Sequence, residues 1–119
     1  MDTKTFANFK EAFKSFVNND KDYIFTRHSL DRGEKIEPHF HPEANEWVVI
    51  NHGKFTVKLE NHEETLDLKR RVTVLYFPKG QKHSFTIHSK ISYFVFKDKS
   101  DKTINYEHPG PARQNGLEG

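Results

Sequence analysis

The sequence predicts an all-β, single-domain fold, a sandwich or barrel preceded by one N-terminal helix. Three observations carry this. Between Tyr23 and Phe96 the chain breaks into about eight or nine short apolar runs separated by polar or glycine-containing turns, the texture of a sandwich or barrel. At 119 residues, with no internal repeat, there is chain for one core and not for two. Ahead of the strands, Phe6, Phe9, Phe13, Phe16 and Val17 recur at the spacing of one helical face.

That stripe places an amphipathic helix over residues 1–20, with Thr3 or Thr5 as its cap and Asn18, Asn19 and Asp20 ending it. Lysines interleave with the phenylalanines, as in transit peptides and membrane-surface helices. Asp2 and Glu11 break that pattern, and no continuous apolar stretch suits secretion. The helix is therefore expected to pack on the barrel or on a second subunit, in a cytoplasmic protein without a membrane partner. The barrel is assigned to residues 21–98. Its first strands are Tyr23–His28 and Glu34–Ile36, joined by the Asp31-Arg32-Gly33 turn. Trp47–Ile50 turns at Asn51-His52-Gly53 into Phe55–Leu59, whose alternation marks a half-buried strand. Leu66 and Leu68 alternate with Asp67 and Lys69, Val72–Phe77 is nearly all apolar, and Phe85–Ile87 and Tyr93–Phe96 complete the set. From residue 99 small and polar residues dominate, including His108-Pro109-Gly110-Pro111, and a loose tail over 99–119 is expected.

Composition removes several function classes. Nineteen Lys and Arg against seventeen Asp and Glu give a formal charge of +2, a mixed surface without the basic stripe that nucleic acid requires. Nothing reads as a recognition helix. Cysteine is absent, so neither disulfides nor thiolate ligands are available.

The chemistry concentrates between Gly33 and Gly53. On a strand, His39 and His41 at i and i+2 project to the same face and can bind one ion. Pro42 ends that extended run, Glu43-Ala44-Asn45 turns the chain, and Glu46 opens the next strand with its carboxylate free to swing towards the imidazoles. A third imidazole, His83, follows the Pro78-Lys79-Gly80 turn. Three imidazoles and one carboxylate suit a divalent transition metal, and Fe, Mn, Ni, Zn, Co and Cu all accept the set. Glu37 shares parity with His39 and is a candidate to support an imidazole N–H. His28, His52, His62, His88 and His108 fall in turns, at strand ends or in the tail, and read as solvated.

This stretch resembles the first motif of the cupins, G-x5-H-x-H-x4-E-x6-G, at Gly33, His39, His41, Glu46 and Gly53. The core of their second motif, P-x-G-x2-H, matches Pro78, Gly80 and His83. Two of its positions depart: Val72 stands where the motif has glycine and Ile87 where it has asparagine. The resemblance covers residues 23–98 and implies a jelly-roll β-barrel with an open metal site in its mouth. It also implies that cupins commonly pair, so a homodimer is expected.

Strand parity then predicts the pocket. With His83 inward, Phe85 and Ile87 follow; with Glu46 inward, Val48 and Ile50 follow. A mostly apolar cup around the metal, with Ile50, Phe85, Ile87 and Tyr93 against the substrate, favours Lewis-acid or oxygen chemistry on a small organic molecule. Tyr23, Arg27, Tyr76 and Tyr93 are the polar side chains placed to reach it. The leading expectation is a metal-dependent, dioxygenase-like enzyme in which Glu46 is both ligand and proton acceptor. Isomerase, decarboxylase and lyase chemistry use the same ligands. A non-catalytic protein whose ion anchors a sugar or carboxylate is the alternative from another class.

Overall fold

The protein, as a computed structural model, is described over residues 3–105. In chain order the elements are β1 (Lys4–Phe6), α1 (Phe9–Lys14), β2 (Ile24–Leu30), β3 (Lys35–Phe40), β4 (Glu46–Asn51), β5 (Lys54–Leu59), β6 (Glu63–Asp67), β7 (Val72–Phe77), β8 (His83–Ile87), β9 (Ile91–Lys97) and β10 (Ile104–Asn105). Antiparallel pairing sorts the strands into two five-stranded sheets, β1-β7-β4-β9-β2 and β10-β3-β8-β5-β6. Alternate residues of each sheet point into a shared core that includes Val48, Ile50, Phe55, Phe77, Phe85 and Tyr93.

The N-terminal segment differs from the expected helix over 1–20. Only Phe9–Lys14 is helical, and its cap is Asn8, whose side chain accepts the Glu11 N–H at 2.9 Å. Lys4–Phe6 instead forms an edge strand on β7. Neither threonine caps: the Thr3 hydroxyl donates to Glu64, and the Thr5 hydroxyl accepts from Arg71. Phe9, Phe13 and Phe16 still form a stripe, packed on the outer face of the first sheet against Phe94, Phe96 and Trp47. That sheet is thereby covered on both faces, which explains why Trp47–Ile50 and Val72–Phe77 read as continuous apolar runs. Among the described residues no helix is long and apolar enough to cross a membrane.

The loose tail also needs correction over its first residues. After β9 the chain crosses from one sheet to the other and enters β10, where Ile104 pairs with Phe40 and Asn105 with His39. Thr103 and Asn105 are buried. Two anchors hold this strap, residues 98–105. Asp98 binds the Asn45 backbone and side-chain N–H groups, and the Asp101 carboxylate accepts the Glu43 and Ala44 N–H groups. His108 and the rest of the predicted tail lie outside the described residues.

Candidate metal centre

His39 and His83 sit opposite each other on β3 and β8. The register slips between Ile36 and His39, where Pro38 cannot donate to the ladder. The turn ahead of His83 is tied directly to the first histidine pair, because the Gly80 N–H donates to the His41 carbonyl at 2.7 Å. Gly80 holds φ +81°, a backbone state that suits glycine. Gly53, at φ +90°, closes the β4–β5 turn where a Cβ would run into the Lys90 carbonyl. These constraints account for Gly53 at the end of the first motif and Gly80 within the second.

The four predicted ligands are all buried, with His39 at 1%, His41 at 2% and Glu46 and His83 at 0% exposure. The histidine ligand atoms lie within 4.8 Å of one another, so His39, His41 and His83 can hold a metal ion. Glu46 meets two of the three rings: its Oε2 lies 3.2 Å from His41 Nε2 and its Oε1 lies 2.9 Å from His83 Nε2.

Proton placement explains why this cluster suits a cation. The Nδ1 atoms of His39, His41 and His83 each face a backbone carbonyl, of Glu37 at 2.8 Å, Lys102 at 3.2 Å and Gln81 at 2.9 Å. A carbonyl only accepts, so each Nδ1 carries the proton and, in the neutral ring, Nε2 offers a lone pair. Burial first, and then His83 beside it, pushes the His39 imidazole down to about 3, so it is neutral at neutral pH. Burial alone would raise Glu46, but the His41 and His83 rings against its oxygens more than offset this and hold the carboxyl below the usual carboxylate range. His39 Nε2, His41 Nε2 and both Glu46 oxygens have no aligned hydrogen-bond donor despite the short contacts. Buried lone pairs from several groups thus converge on one point, an arrangement that a divalent ion satisfies.

The supporting contacts were only partly foreseen. Glu37 does support His39, but through its carbonyl; its carboxylate points outward towards Lys35 Nζ at 3.9 Å. The Phe77 ring stacks on His83 at 4.0 Å with an angle of 4° between the planes, fixing that ligand's orientation. The Lys102 carbonyl comes from the strap, sixty-one residues away from His41 in sequence. An extended turn rich in Asp followed by Thr103-Ile104-Asn105 was the only signal for it.

The pocket residues fall differently from expectation. Ile50, Phe85, Ile87 and Tyr93 do point inward, but all four are buried in the core. Ile36, Val48, Ile50, Phe85, Ile91 and Tyr93 interdigitate so closely that no water fits between them. The apolar cup is therefore filled by the facing sheet. Of the four polar candidates, Arg27 lies over Phe94, Tyr76 packs at a tilt on Trp47 and Tyr23 bonds the Asn18 N–H, all on the outer face. Tyr93 faces in, and its hydroxyl is buried without a partner. Burial, reinforced by the charges of Glu46 and Glu34, pushes that hydroxyl up, so it keeps its proton. Among the predicted surface histidines, His52, His62 and His88 are exposed. His28 is half-buried, with its ring 5.3 Å from that of Tyr93.

No family model matches the chain, and no curated protein sequence does either. Solved structures do match. An uncharacterised conserved protein with a double-stranded β-helix domain from Klebsiella pneumoniae is 14% identical, with a TM-score of 0.61 over 77% of this chain and 76% of that one. A sugar phosphate isomerase of the cupin superfamily from Silicibacter pomeroyi is 17% identical, with a TM-score of 0.58 over 72% of this chain and 57% of that one. A salicylate 1,2-dioxygenase variant from Pseudoaminobacter salicylatoxidans is 15% identical, with a TM-score of 0.58 over 72% of this chain and 26% of that one. At these identities the likeness is one of fold.

Proposed function

We propose that this chain, a small protein of the cupin jelly-roll fold, is a metal-dependent enzyme of dioxygenase-like type acting on a small organic molecule. The single observation behind this reading is the convergence of the His39, His41 and His83 lone pairs and the Glu46 carboxylate, with each Nδ1 proton already committed to a carbonyl. In the proposal all four residues hold one divalent transition metal. A bound metal would supply Lewis-acid polarisation and, for a redox-active ion, oxygen chemistry. The protein's own part is definite. Glu46, held below the carboxylate range, is ionised and offers both oxygens to the ion. Tyr93 keeps its proton and has an unused donor in the barrel interior. The apolar packing beneath the ligands excludes water. That similar folds include a salicylate dioxygenase and a sugar phosphate isomerase supports small-molecule metal chemistry without choosing between the reactions.

Non-catalytic binding of a sugar or carboxylate is the second reading, favoured by the strap that covers the ligands. The two separate by experiment. Elemental analysis of the purified protein should give near-stoichiometric transition metal that falls in a His83→Ala variant. The metal-loaded protein should then consume oxygen with a catechol, diketone or thiol. Metal without turnover of any of these would favour the binding protein; absence of metal after reconstitution with each ion would end the enzyme reading and leave a binding protein of this fold.

A further inference from the structure

The short helix leaves part of the sheet beneath it uncovered. α1 ends at Lys14, and past it a groove of about 320 Å³ opens between Ser15 and Phe16, β1 and the outer face of β4 and β7. Lys4 and Phe6 on β1, Val74 and Tyr76 on β7 and Trp47 on β4 complete its lining, each set of strand residues on one parity. A cavity of roughly 150 Å³ holds a benzene ring, so this groove admits a ring that carries a substituent. We propose that it binds a flat aromatic monocarboxylate, with the ring against Trp47 and Tyr76 and the carboxylate on Lys4.

The aromatic side chains set the shape of the guest. Phe16 lies parallel to Trp47, with 9° between the planes and 5.5 Å between the ring centres. Tyr76, paired with Trp47 in the β4–β7 register, lies 5.1 Å from it at 33°. Tyr76 is 46% exposed, so the row ends in water. A planar ring extends such a row at the same spacing and covers aromatic surface that is now solvated. A puckered ring of the same size cannot make that flat contact.

Charge selects the substituent. Lys4 is the one charged side chain in the lining, and among the described residues it has no ion pair. The Tyr76 hydroxyl likewise has no partner among the described residues and can donate. The Ser15 hydroxyl already donates to the Ala12 carbonyl at 2.6 Å. The side chains of the groove thus offer a cation and a donor but no carboxylate or amide. A carboxylate answers both, whereas a phosphate dianion calls for more donors and the several hydroxyl donors of a sugar would find few acceptors. Trp47 and Glu46 are successive residues of β4 and face opposite ways, so the groove is separate from the metal centre and the inference is independent of the metal reading.

Trp47 is the single tryptophan of the chain, and its fluorescence reports directly on this groove. The full chain, as purified and after chelator treatment, is titrated with benzoate, with its neutral isostere benzamide and with cyclohexanecarboxylate, which keeps the charge on a puckered ring. Amide NMR in parallel locates the bound molecule. A saturable change in Trp47 emission is expected with benzoate in both preparations, with shifts at Lys4, Ser15 and Tyr76, and both controls should bind about fivefold more weakly or worse. Lys4→Gln should weaken benzoate binding about fivefold and Tyr76→Ser about tenfold; both side chains are exposed, so neither change reaches the core. Absence of a saturable change in the wild type, equal binding of either control, or shifts confined to β3 and β8 would overturn the proposal.

Discussion

Replacing Glu46 by Gln distinguishes a metal-ready cluster from one held together by a proton. In the metal-free protein the two Glu46 oxygens lie 3.2 and 2.9 Å from His41 Nε2 and His83 Nε2. An amide at position 46 removes a buried charge and supplies an N–H donor to one of the two rings. Gaining one neutral hydrogen bond contributes about 1 kcal/mol, and relieving an unsatisfied buried acceptor about 1–3 kcal/mol. The metal-free variant should therefore be more stable than the metal-free wild type by about 1–3 kcal/mol, a rise of several degrees in Tm for a domain of this size. Metal affinity should move the other way. Groups one step removed from a metal already cost about 10–100-fold when lost, so loss of a ligand should cost roughly a hundredfold or more. Urea unfolding with and without chelator, and competition titration with a chromophoric chelator, read the two effects separately. A metal-free variant destabilised by about 3–5 kcal/mol would show that Glu46 stands in a protonated ion-pair network, and the lone-pair account would be refuted.

Acid should destabilise the metal-free protein through His39. Its imidazole lies at about 3 in the folded state and 6.5 in its ordinary state, so the unfolded chain binds the extra proton. Full stability is present above pH 6.5 and is lost at roughly 1.4 kcal/mol per pH unit as pH falls towards 3, about 2 kcal/mol by pH 5; urea melts of wild type and His39→Gln should show the slope only in the wild type. Gly53→Ala should cost about 2 kcal/mol or more, from the φ of +90° and the Lys90 carbonyl, seen as a lower urea midpoint with unchanged slope. Asp101→Ala should release the strap, speeding hydrogen exchange at Glu43 and Ala44 and weakening metal binding through the freed Lys102 carbonyl, while exchange in β5 stays unchanged. If the chain forms the homodimer that the cupin resemblance implies, sedimentation velocity at micromolar concentration should show it. Phe25, 56% exposed on edge strand β2, is the residue whose change to Ser should return a monomer.

Much of this molecule was legible before its coordinates because period-2 parity is a local rule. His39 and His41, Glu46 with Val48 and Ile50, and His83 with Phe85 and Ile87 all face where alternation puts them. Parity gives direction but not depth. It cannot tell a side chain lining an open cup from one interlocked with the facing sheet, which is why Ile50, Phe85 and Ile87 were placed against a substrate and stand in the core. The N-terminal stripe misled differently. Phe6 fits the helical spacing, but Lys4–Phe6 pairs with the ladder of β7, and the helix starts only at Phe9, after its Asn8 cap. The strap was invisible because its hold on the barrel runs through carboxylates and carbonyls that meet residues some sixty positions away, and no local pattern encodes such partners.

The strap has a consequence for the time course of biosynthesis. Four of the five strands of the first sheet, and every proposed ligand, have been made once residue 83 has left the ribosome, and β9 completes that sheet at Lys97. His41, however, cannot be oriented until the Lys102 carbonyl arrives, and β3 keeps an open edge until Ile104 and Asn105 pair with it. A nascent chain halted just short of Lys102 would expose a nearly complete barrel with a swivelling imidazole and an unpaired strand. The support of the proposed ligands is thereby finished only after the barrel strands are made, and the interval before it is when the chain is most open to pairing with a stray strand.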